Sequence, residues 1–120
     1  MVKVRYVPDV GDIIKVDLDP SAGHEQGGWR PAIVLSPVSY NGKTTLAVVV
    51  PVTNQVKGYP FEVLLPMQMK TTGVILTDQI RNLDWHARRA KYVETAPAEV
   101  LKAIHERLIA LVGITKASGP

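Results

Sequence analysis

Ahead of Pro97 the chain is cut by Gly, Pro and Asn into short apolar runs, and that fragmentation restricts what it can fold into. Runs of this length rich in β-branched residues read as strands rather than helices. They are Asp12 to Leu18, Pro31 to Pro37, Thr44 to Thr53, Phe61 to Leu65, Gly73 to Asp78 and Ala90 to Thr95. Asn41-Gly42 fits a type I′ hairpin turn, because both residues accept positive φ. The Val48-Val-Val50 run predicts burial on both faces, and Pro51 then predicts a bulge or an edge. Residues 19–30 form a long polar loop with three glycines. After Pro97 the period changes: Leu101, Ile104, Leu108 and Leu111 recur at helical spacing, and Gly113 is a natural stop. The expected fold is mainly β with α, a small barrel of five to six strands plus a C-terminal amphipathic helix.

At 120 residues the chain has room for one domain, expected over residues 1–114, with residues 115–120 a disordered tail. No cysteine is present, which removes disulfides, thiol nucleophiles and thiolate metal sites together. His24, His86 and His105 are too far apart in sequence for zinc-type local spacing. Fourteen Lys and Arg against eleven Asp and Glu give a net charge of +3 and permit an anionic partner without requiring one. The N-terminus lacks the apolar region of an export signal, and the most apolar run, Leu46 to Val52, is too short to span a bilayer. A cytoplasmic protein without membrane contact is expected.

Few side chains invite chemistry. The serines lack the Gly-x-Ser-x-Gly setting, and Gly23, Gly27 and Gly28 match no phosphate-loop pattern. Arg30 closes the polar loop at the start of an apolar strand, where a guanidinium is anchored yet accessible to phosphate or carboxylate. An ordinary surface arginine fits the same pattern. Thr53 ends an apolar strand as polarity returns with Asn54 and Gln55; simple strand termination explains that equally well. Lys57, Arg81, Arg88, Arg89 and Lys91 are either a basic surface or ordinary solvated residues.

The order of several segments carries more. Gly11-Asp-Ile-Ile14, Val16-Asp-Leu-Asp-Pro20, Gly23-His-Glu-Gln26, Arg30-Pro-Ala-Ile-Val-Leu-Ser-Pro37, Val50-Pro-Val-Thr53, Lys57-Gly-Tyr-Pro-Phe-Glu62 and Gly73-Val-Ile-Leu-Thr-Asp-Gln79 follow one another at characteristic spacings. In these the chain resembles the MazF/PemK-like family of bacterial toxin endoribonucleases over nearly its whole length. The resemblance implies an SH3-like barrel, a homodimer, and metal-independent, cofactor-free cleavage of single-stranded RNA that leaves a 2′,3′-cyclic phosphate and a 5′-hydroxyl. It implies a MazE-like antitoxin as partner and no cleavage of DNA. The family's catalytic arginine falls on Arg30, its catalytic threonine on Thr53 and its loop glutamate on Glu25. For RNA contact the candidates are Gln79 at a base edge, Lys57 and Arg81 at phosphates, and Trp29. Position 29 is often His in relatives; Trp29 either stacks on a base or packs at the loop edge. The rival reading is a CcdB-like toxin that binds DNA gyrase without cutting RNA.

Overall fold

The computed structural model describes residues 5–18 and 28–113. Seven strands and two α-helices follow in the order β1 (Asp12–Asp17), β2 (Trp29–Val34), α1 (Val38–Thr44), β3 (Leu46–Thr53), β4 (Glu62–Leu64), β5 (Val74–Leu76), β6 (Arg81–Asp84), β7 (Lys91–Thr95) and α2 (Ala98–Leu111). A 3₁₀ turn, Thr77–Gln79, joins β5 to β6. All pairings are antiparallel, in the order β4-β5-β3-β2-β1-β7, with β6 on β3 as well. The sheet is curled and barrel-like, and this path ends at β4 and β7 without closing. β6 is the strand missing from the sequence reading; its four residues, Arg-Asn-Leu-Asp, carry too little apolar pattern to announce it.

β1, β2 and β3 are apolar on both faces because both are covered. Ile13, Ile33, Val50 and Val52 point into one core with Val63, Ile75 and the α2 residues Val100 and Ile104. Their chain neighbours Ile14, Val16, Ala32, Val34 and Val49 point into a second core with Leu83 and Trp85. Successive strand residues alternate sides, so a continuous Val/Ile run serves both layers. Each fully buried Ile or Val contributes roughly 1.5–3 kcal/mol. Along α2, Val100 and Ile104 are buried whereas Leu111 is exposed, so the packed face turns away from the last residue of the expected stripe.

Pro51 sits where β3 changes neighbour. β6 pairs with Leu46 to Val49, β5 pairs with Val52 and Thr53, and Pro51 falls between the two. The missing N–H therefore sits in the gap between two partner strands, and neither bulge nor free edge is needed.

Asn41-Gly42 does not make a hairpin turn; both residues lie inside α1, and the positive φ falls instead on Thr45 at 61°. The reason is Asn41 itself, which is fully buried. Its Nδ2 donates to Pro8 O at 2.7 Å and Ser36 O at 2.9 Å, its Oδ1 accepts from Ser36 Oγ at 2.6 Å, and Trp85 Nε1 donates to its carbonyl at 2.9 Å. Those bonds outweigh a local turn preference. The loop between β4 and β5 is tied to β7: the Glu94 carboxylate accepts from the amides of Lys70 and Thr71 and from the Thr71 hydroxyl. Burial works to raise its pKa. The Thr71 hydroxyl, the two amides and the Lys70 charge together prevail and hold it below the usual carboxylate range.

Candidate functional site

Antiparallel register builds the site. β2 and β3 pair Ala32 with Pro51 and Val34 with Val49, and just beyond that ladder the two strands carry Arg30 and Thr53 into the same cleft. Opposed side chains share a face and start about 5 Å apart. Val49 also pairs with Arg81 of β6, which brings a second guanidinium to that face. Arg30, Thr53 and Arg81 accordingly line one cleft of about 270 Å³ with Leu18, Pro51, Leu76 and Gln79.

The polar groups are held differently. Arg81 Nη1 donates to Leu18 O at 3.3 Å, which aims the guanidinium along the cleft. Thr53 Oγ1 accepts the amide of Gln55 at 3.2 Å, leaving its own O–H to donate into the cleft. Arg30 is exposed, and its guanidinium makes no hydrogen bond or ion pair with another described residue. One tethered and one free guanidinium thus line the same opening as a hydroxyl donor, an arrangement suited to an anion with several oxygens.

A second cleft of about 210 Å³ adjoins the first and shares Thr53, Leu76 and Gln79 with it; Lys57, Tyr59, Glu62 and Asp78 complete its lining with Gln55. Lys57 and Gln79 from the sequence reading are therefore brought together with Thr53. Trp29 is not. It precedes Arg30 on β2 and points to the opposite face, where the Lys91 ammonium lies 5.4 Å from its ring centre. Glu25 and His24 lie outside the described residues. His86 is exposed, edge-on to Trp85, and His105 is exposed on α2. Among the described residues no group of three His, Asp or Glu could hold a metal ion, and no helix is long and apolar enough to cross a membrane.

Sequence reasoning missed Tyr59, Glu62, Asp78 and Gly73. Tyr59 had a signal, an aromatic beside a lysine in a turn; Gly73 shows only in three dimensions. Its φ is +110°, and a Cβ there would run into the Thr53 carbonyl.

The geometry defines a small curled-sheet protein with a doubly cationic surface cleft at a strand end. A sequence profile described as PemK-like, MazF-like toxin of type II toxin–antitoxin system matches residues 9–112, and the chain belongs to that family. It is 50% identical over 109 residues to the "Endoribonuclease toxin MazF" of Escherichia coli (strain K12), covering 91% of this chain and 97% of that protein. It is 42% identical over 102 residues to the "Endoribonuclease PemK" of Escherichia coli, covering 82% and 77%. A crystal structure of MazE-MazF from Deinococcus radiodurans superposes with a TM-score of 0.87 at 50% identity, covering 92% of this chain and 100% of that one.

Proposed function

We propose that this protein is the toxin of a type II toxin–antitoxin system and acts as an endoribonuclease on single-stranded RNA. The observation that carries the reading is the cleft in which Arg30 and Arg81 flank the Thr53 hydroxyl. In a chain whose relatives are named endoribonucleases, that set of groups suits a phosphodiester. The nucleophile is the RNA's own 2′-hydroxyl. Its oxygen bonds to the adjacent phosphorus, the bond from phosphorus to the 5′ oxygen breaks, and the products are a 2′,3′-cyclic phosphate and a 5′-hydroxyl. Glu25 takes the 2′ proton, and Arg30 donates a proton to the leaving 5′ oxygen and regains one from water. Arg30 and the Thr53 O–H stabilise the extra negative charge on the five-coordinate phosphorus. Arg81 and Lys57 hold neighbouring phosphates, and Gln79 meets a base edge. DNA lacks the nucleophile and is not cut.

A MazE-like antitoxin is the natural partner, because an acidic segment laid across the two arginines would occupy the same cleft. The structural relatives include MazE-MazF complexes. A second copy of the chain would cover the exposed Leu64, Met67, Ile109 and Val112. A cytoplasmic location fits an RNA substrate.

The test uses purified protein on a long single-stranded RNA in excess EDTA, beside matching DNA and Arg30→Ala, with the new ends mapped. Discrete cuts in RNA alone, slowed about 10²–10³-fold in Arg30→Ala, are expected. Intact RNA from a folded protein that still arrests growth and binds gyrase would transfer the reading to a non-enzymatic toxin.

A further inference from the structure

The Thr53 hydroxyl is aimed by a neighbour: the Gln55 amide donates to its oxygen at 3.2 Å and so turns the O–H outward into the cleft. Both groups belong to one tight turn at the end of β3, in which Val56 N also donates to Asn54 O at 3.1 Å. Asn54 is the residue between them. Its Oδ1 accepts from the Thr72 hydroxyl at 2.9 Å, across 18 positions of sequence. Both side chains are exposed, and an exposed hydrogen bond orders little unless one partner is already fixed.

Thr72 is fixed from both sides. Thr71 before it is buried and gives its amide and its hydroxyl to the Glu94 carboxylate of β7, each at 2.7 Å. Lys70 N adds a third bond to that carboxylate at 3.1 Å. Gly73 after it accepts from Leu65 N at 3.0 Å and leads into β5, whose Val74 pairs with Thr53. The Thr53 carbonyl and Asn54 Oδ1 fill the space that a side chain on Gly73 would need. The loop from β4 to β5 is therefore anchored on β7, and Thr72 carries that anchorage to the residue that follows Thr53.

We propose that Asn54 and Thr72 form a positioning clip: the bond between their side chains holds the Thr53–Gln55 turn in shape and keeps the Thr53 O–H aimed at the phosphate. The inference rests on the nuclease reading and adds two positioning residues to it. Neither residue lines either cleft, so each acts through Thr53. A hydroxyl swung to another staggered rotamer no longer donates to the oxygens of the five-coordinate phosphorus. Binding by Arg81 and Lys57 does not depend on that rotamer. The clip thus governs kcat and leaves KM alone.

Thr72→Val keeps the shape and removes the donor. Because Thr72 is exposed, the melting temperature should move by no more than about 3 °C. RNA cleavage should lose about tenfold in kcat with KM within about twofold of wild type, and Thr72→Ser should restore it. Asn54→Ala should reproduce the loss, and joining it to Thr72→Val should lower kcat no further, since one bond is broken either way. In a Thr53→Val background Thr72→Val should have no effect, because no hydroxyl is left to aim. A second measurement needs no RNA: three-bond NMR couplings to the Thr53 methyl carbon should report one χ1 rotamer in wild type and an average of rotamers in Thr72→Val. Unchanged couplings in Thr72→Val overturn the clip. So does wild-type cleavage by Thr72→Val, or a loss that survives in the Thr53→Val background. Averaged couplings in Thr72→Val, beside a wild-type protein that leaves RNA intact, refute the nuclease reading and keep the clip. Unchanged couplings beside active cleavage do the reverse.

Discussion

Replacing Gly73 by Ala should damage the site from outside it. Gly73 directly precedes β5, whose first residue, Val74, pairs with Thr53. A Cβ on Gly73 would overlap the Thr53 carbonyl oxygen, stand 2.8 Å from its carbon and lie 2.9 Å from Asn54 Oδ1. Neither backbone atom is the tip of a flexible side chain, so the end of β3 must retreat, by on the order of 1 Å in a close-packed sheet. The added residue also inherits φ +110°. Backbone strain of about 1–3 kcal/mol and overpacking of about 1–3 kcal/mol together give about 2–6 kcal/mol. For a domain of this size the melting temperature should fall on the order of 10–20 °C. A displacement of that size at Thr53 should slow RNA cleavage about 100-fold at temperatures where the variant is folded. Gly58→Ala is the control for melting: φ is +78° but nothing lies within 4 Å of the new Cβ, so only the strain applies. Thermal melts and single-turnover cleavage decide the matter. Gly73→Ala that melts no lower than Gly58→Ala, or that cleaves at the wild-type rate, refutes the steric argument.

Two further outcomes concern stability. Thr77 is fully buried, and its hydroxyl has no hydrogen-bond partner among the described residues. Burying such a group costs about 1–3 kcal/mol, so Thr77→Val, which keeps the shape, should raise the melting temperature by several degrees; a fall would mean the hydroxyl is satisfied. Glu94 has a folded pKa below its unfolded value, so its contribution is complete above the unfolded pKa of about 4.3 and disappears as pH falls through the folded value. Denaturant midpoints of Glu94→Gln should lie below wild type at neutral pH and converge with it toward about pH 3; a gap of constant size would assign the loss to something other than the carboxylate charge.

Strand content was legible because β-branched runs between Gly and Pro have one economical reading, and the C-terminal helix because its period is local. Both depend on near neighbours in sequence. β6 was not legible: Arg81 to Asp84 become a strand only because Val49 and its neighbours offer an unpaired edge. Asn41-Gly42 misled for the same kind of reason, since Asn41's partners Pro8 and Trp85 are distant in sequence. At the site, Arg30 and Thr53 stood out through a resemblance of ordered motifs, and the pairing of β2 with β3 then brought them to one cleft. Trp29 shows where alternation decides: one residue from Arg30, it faces away from the cleft, beside Lys91. Tyr59 was read only as part of a turn, and its place in the second cleft depends on Glu62 and Arg107 fixing the loop.

β3 borders β2, β6 and β5, and the cleft takes its walls from all four. The order of synthesis therefore matters. A growing chain that has released only Arg30 and Thr53 has neither Gln79 nor Arg81, and the Tyr59 loop has no Arg107 to hold it. The binding surface is assembled only when the C-terminal third has emerged, so a ribosome making this protein is exposed to no finished clamp until its own work on that message is nearly done.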